Sequence, residues 1–183
     1  MSSGLSQTVL QAFYYEIERQ CRFVLMAAHD LETGLNSKDM DRLWYSVQAL
    51  LVAAANISKL LWPPRPHIRN RGDQLRNNLS VRADSSLELR TFRDHFEHYD
   101  ERLEDWASSS ARHNIVDTSV LSSGAITGID ARDFMRNFDP TSYSITFRGD
   151  SHPLKPIVEE VAGLWTRVTI EINRLFRYHG TNP

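Results

Sequence analysis

The chain has 183 residues, 41% of them hydrophobic and 24% charged, the composition of a soluble globular domain of ordinary size. A net charge of −2 excludes a polycation that would hold nucleic acid indiscriminately, and a single cysteine, Cys21, excludes an internal disulfide. There is no run of about 18 apolar residues and no basic region leading into an unbroken apolar one, so neither a membrane span nor a signal peptide is expected, and the expected location is cytoplasmic.

The first element is a helix over about Thr8 to Leu35, where Val9, Phe13, Ile17, Val24, Ala28, Leu31 and Leu35 form one stripe and Tyr14 and Tyr15 fall on other faces. Gly34 marks its end. A second helix is expected over about Lys38 to Trp62, with Asn36 or Ser37 as N-cap and a stripe running from Met40 through Leu43, Val47, Leu50 and Ile57 to Leu61. Pro63 and Pro64 end it, because proline lacks an amide hydrogen and disfavours helix in the residue before it. The short connection between the two helices predicts an antiparallel hairpin.

Residues 63–83 form a connector with one short helix near Asp73 to Leu79, and they carry Arg65, Arg69, Arg71, Arg76 and Arg82 against a single acid, Asp73. Two readings stand: a solvated loop, or a segment in which Arg69, Arg71 and Arg76 contact phosphate. Across the chain 18 of the 21 basic residues are Arg, which forms two-pronged contacts with phosphate that Lys cannot.

A third long helix is expected over Asp84 to Ser109, started by a Ser85-x-x-Glu88 capping box. Phe92, Phe96, Tyr99, Leu103 and Trp106 make its apolar spine, and Arg93, Asp94, Glu97, His98 and Glu101 its polar face. The helical period then fails. Over about 111–151 the alternation at Ser142 to Arg148 predicts a strand, with further candidates at Asn114 to Leu121 and Ala125 to Ile129. Pro153 and Pro156 open a last helix, about Lys155 to Tyr178, with Ile157, Val161, Leu164, Trp165, Val168, Ile172 and Leu175 as its stripe. The sum is a mainly α protein: one domain over 1–183, an up-down bundle of four to five helices with a small β-hairpin or three-stranded insertion before the last helix.

The polar face of the third helix carries the candidate chemistry. A histidine transfers protons near neutral pH, and an arginine holds a phosphate and the charge it gains in the transition state. Arg93 and His98 are half of a phosphodiester-cleaving pair, which a second histidine from a two-fold partner would complete. The same residues also suit ordinary intrahelical ion pairs, Arg93 with Glu97 and Arg90 with Asp94. His95 and His98 stand three apart on the helix, but the paired Glu-x-x-His motifs of a di-iron bundle are missing, and neither metal nor cofactor is expected.

Arg93, Asp94 and His98 follow the pattern Arg, polar residue, three residues, His. In this the chain resembles the HEPN superfamily, prokaryotic helical-bundle domains of toxins, defence systems and RNA-processing proteins, in which Tyr after the His is also common. The resemblance implies a homodimer that cuts RNA without metal across its two-fold axis. It assigns phosphate binding to Arg93, acid–base work to His98, an orienting role to Asp94 and substrate contact to Tyr99. It also implies a cognate antitoxin or regulatory protein as a possible partner. The alternative is a non-catalytic dimeric helical interaction module that uses the same helix for dimerisation or partner docking.

Overall fold

The structure, a computed structural model, describes residues 5–65, 68–88, 98–122 and 124–179. The protein is mainly α, with five helices among the described residues and a small four-stranded sheet inserted before the last helix. The chain divides into two compact units, one of Met1–Leu89 with Val158–Pro183 and the other of Arg90–Ile157. No helix of the described residues is long and apolar enough to cross a membrane.

The first unit is built on α1 (Gln7–Ser37) and α2 (Met40–Leu61). The helix passes through Gly34 and ends at Ser37, after which Lys38 adopts the left-handed conformation. The N-cap of α2 is Asp39, not Asn36 or Ser37, and its carboxylate accepts the Arg42 amide hydrogen bond at 3.0 Å. The core-facing stripe of α1 is displaced by one position at its start. Tyr14 is buried while Val9 is 43% exposed, because the Tyr14 hydroxyl accepts a 2.9 Å hydrogen bond from the Asn78 side chain and so satisfies its polar end. Along α2, Leu43, Val47, Leu50, Leu51, Ala54, Ile57 and Leu61 are buried as the stripe predicts. Each of the Leu, Val and Ile side chains contributes roughly 1.5–3 kcal/mol by leaving water.

The short helix of the connector, α3 (Arg69–Asn78), crosses the end of α2. Gly72 makes the crossing possible, since a Cβ there would sit 2.5 Å from both the Leu61 carbonyl oxygen and Pro63 Cδ. The capping box at Ser85 does not start a helix. Residues 84–88 form turns, and the hydroxyls of Ser85 and Ser86 together with the Ser86 amide bond to the Glu160 carboxylate, the Ser86 contacts at 2.6 and 2.8 Å. The Ser85 hydroxyl also accepts from the Leu87 amide at 3.1 Å, which closes a local turn instead of a helix start.

In the second unit the helical segment α4 runs only from Tyr99 to Ser109. None of its residues is buried, and Leu103 is 36% exposed, so the described part of the expected spine is no core stripe. Phe92 and Phe96 lie outside the described residues. The sheet has the order β1 (Ser119–Val120), β2 (Asn137–Asp139), β3 (Ser144–Phe147), β4 (Asp150–Pro153). β1 and β2 are parallel, the other pairs antiparallel. Ala125 to Ile129 is turn and bend rather than strand, and Pro153 ends β4 rather than opening a helix. Met135, Phe138, Ile145, Phe147 and Leu154 form a small core. Buried Asn137 is fully engaged, donating to the Leu121 carbonyl at 2.9 Å and accepting from Leu121 and Ser119. The last helix, α5 (Lys155–His179), returns to the first unit and buries Val161, Leu164, Val168 and Ile172 there, while Trp165 is 39% exposed.

Candidate functional site

The second half of the Arg93–His98 motif lies at the start of α4, and Arg93 and Asp94 lie outside the described residues. His98 is the N-cap, with its carbonyl accepting from the Arg102 amide at 3.1 Å. Asp100 and Glu101 in the first turn face the positive end of the helix dipole, which favours helix initiation here. The His98 side chain is 51% exposed, and its Nδ1 stands 3.4 Å from Glu101 Oε1. Both side chains are more than half exposed, so water screens this contact.

Tyr99 is fixed. Its hydroxyl donates to Asp117 Oδ2 at 2.9 Å, and Arg136 grips both oxygens of the same carboxylate through Nε and Nη2 at 2.8 and 2.5 Å. The Arg136 guanidinium also lies over the tyrosine ring, 4.2 Å from its centre. Burial acts to raise the Asp117 pKa, but the hydrogen bonds and charge of Arg136, with the Tyr99 hydroxyl, outweigh it, and the carboxyl sits below its ordinary range. The Tyr99 phenol is pushed up by burial and then by Asp117, so it stays protonated as a donor. Asp117 and Arg136 escape a reading of the sequence, because they pair across 19 positions and neither belongs to a periodic pattern.

The arginines of the connector belong to the first unit. Arg71 donates to the Lys59 carbonyl at 3.1 Å and covers the Phe13 ring at 5.0 Å. Arg76 donates to the Leu61 carbonyl, pairs with Asp73 and lies 5.3 Å from the Trp62 ring centre. Both therefore sit at the C-terminal end of α2, where a cation complements the unsatisfied carbonyls. Arg69 is exposed at the start of α3. Among the described residues no group of three or more His, Cys, Asp or Glu side chains is placed to hold a metal ion.

The same unit carries an apolar groove of about 720 Å³ between α1 and α2. Phe23 and Met26 line it from α1, Tyr45 and Val52 from α2, and all four are exposed. Comparison with known proteins gives no match to a family model, to a curated protein or to a solved structure.

Proposed function

We propose that the chain is a HEPN-like, metal-independent RNA endonuclease of the toxin or defence type, active as a homodimer. The observation that carries this reading is His98, half exposed at the start of α4, 3.4 Å from Glu101 and followed by Tyr99, whose hydroxyl is bonded to Asp117. In the reaction the ribose 2′-hydroxyl attacks the adjacent phosphorus and the 5′-oxygen leaves, giving a cyclic phosphate and a free hydroxyl. One His98 takes the 2′ proton, and His98 of a second copy gives a proton to the departing oxygen. Arg93 holds the phosphate, and Asp94 orients Arg93 or His98. Arg69, Arg71, Arg76 and Tyr99 are the further substrate contacts proposed for the RNA, and a cognate antitoxin or regulatory protein is the proposed restraint. The test is cleavage of mixed RNA in EDTA by wild type and His98→Ala side by side. Cutting by wild type alone is expected; equal cutting by both refutes the assignment.

A second reading, a non-catalytic dimeric module, is favoured by the α1–α2 groove. Exposed Phe23, Met26, Tyr45 and Val52 form a larger apolar strip than scattered surface residues do. Asp30, the charged residue in the groove lining, is paired with Arg42, so the groove itself selects neither an acidic nor a basic partner. A second copy of the same face fits that neutrality. Met26→Glu with Tyr45→Glu is expected to give a monomer in sedimentation equilibrium; an unchanged dimer, or a monomeric wild type, refutes this surface.

A further inference from the structure

A cavity of about 330 Å³ lies in the second unit, where the C-terminal end of α4 meets the 3-10 turn at Ala131–Asp133 and the β3–β4 turn. Its wall includes Trp106, Ser109, Arg112, Arg132, Asp133 and Arg148. We infer that this cavity binds the phosphate of a nucleotide, held by Arg112, Arg132 and Arg148 and with the base against Trp106.

Three arginines from three separate chain segments line one concave space, and the forked donors of a guanidinium match phosphate oxygens. Their present bonds are weak enough to exchange. Arg132 is paired to Asp130 at 3.2 and 3.3 Å, with both side chains more than half exposed, so water already screens the pair. Arg112 reaches the Gly128 carbonyl at 3.4 Å. Arg148 spans from the Arg102 carbonyl at 3.4 Å to Ser109 Oγ at 3.0 Å, which uses two of its five donors. Two carboxylates also line the cavity: Asp130 is paired with Arg132, and Asp133 is bonded within the protein. Asp133 Oδ1 accepts from Trp106 Nε1 at 2.9 Å and from Ser110 Oγ at 2.8 Å. The first of these bonds holds the edge of the indole, which also meets His113 edge-on at 5.8 Å, and Trp106 is the aromatic residue of the lining against which a base can stack. The volume is at the lower end for small-molecule sites, enough for one nucleotide.

A second observation concerns the backbone. Phe147 pairs with Asp150, so Arg148 and Gly149 are a two-residue hairpin turn, with φ of 47° and 94°. Both positions favour Gly, Asn or Asp. An arginine is held here against its backbone preference, and strain of this kind is kept where the side chain is needed.

The site stands whether or not His98 cleaves RNA, and it is tested by calorimetric titration of the full chain with adenosine monophosphate, adenosine, inorganic phosphate, and a short RNA with or without a terminal phosphate. The monophosphate is expected to bind at least roughly tenfold tighter than adenosine. Arg148→Gly is expected to lose that preference while melting no lower than wild type, because it relieves the turn. His98→Ala is expected to bind as wild type, which separates this site from the cleavage reading. Tighter binding of phosphorylated RNA than of the mononucleotide identifies a strand end as the source; equal binding identifies a free nucleotide. Equal affinity for adenosine and its monophosphate, no binding of any phosphate ligand, or wild-type affinity in Arg148→Gly overturns the inference.

Discussion

The guanidinium of Arg136 lies 4.2 Å above the Tyr99 ring while holding the carboxylate to which the Tyr99 hydroxyl donates. One arginine thus fixes both the face and the tip of the residue next to His98. Arg136→Ala leaves the partly buried Asp117 carboxylate without its cation, at a cost of about 1–3 kcal/mol. Amide hydrogen exchange is expected to quicken across Tyr99–Ser109 and to stay unchanged in α1 and α2, which belong to the other unit.

Acid should release the same contact. The Asp117 carboxyl is below its ordinary range when folded, so its stabilising contribution is complete above the unfolded carboxylate pKa and is lost as pH falls through the depressed value. The carboxyl carbon of Asp117, followed by NMR, is expected to titrate with a midpoint below about 3.9. In Arg136→Ala the midpoint should rise, since burial is then opposed only by the Tyr99 and Thr118 hydrogen bonds.

His98 projects into solvent from a helix start, so His98→Ala is expected to change global stability by no more than about 0.5 kcal/mol. Urea unfolding checks this. A large loss would mean that lost cleavage in this variant reports unfolding rather than chemistry.

Gly72→Ala places a methyl group 2.5 Å from the Leu61 carbonyl oxygen and Pro63 Cδ, neither of which can move aside cheaply. A loss of about 1–3 kcal/mol is expected, read as a lower denaturation midpoint in urea.

Cys21 is buried in α1, and burial, then Glu18, pushes its thiol up to about 12. A thiol raised in the folded state stabilises fully below its unfolded pKa, near 8.5, and loses that contribution as pH rises toward the folded value. A disulfide reagent is expected to leave the native protein unlabelled at pH 8 and to label one thiol per chain in urea.

Where apolar periodicity and burial coincide, the helices were legible. Leu43, Val47, Leu50 and Ile57 are buried at the spacing that announces them. Legibility failed where distant partners decide. Tyr14 turns inward because the Asn78 side chain donates to its hydroxyl, and the Ser85 hydroxyl is tied to Glu160 within a turn rather than capping a helix. The three residues of β2 are all buried although two are polar, so no alternation marks them. Asp117 and Arg136, which brace the residue beside His98, meet only once the sheet has formed. The same holds for the arginines of the cavity, whose convergence depends on three turns with no shared sequence signal.

The Ser85–Glu160 and Ser86–Glu160 bonds join chain on either side of the second unit, and this orders events on the ribosome. Helices α1 to α3 are synthesised first, yet the helix that buries Val161, Leu164 and Val168 in their unit comes only after Arg90–Ile157. At usual elongation rates that interval is roughly 3 to 14 s. During it the first three helices wait with an uncovered apolar flank, while the second unit, contiguous in the chain, has all its residues at hand. Chaperone dependence of the nascent chain should therefore end as the α5 segment emerges.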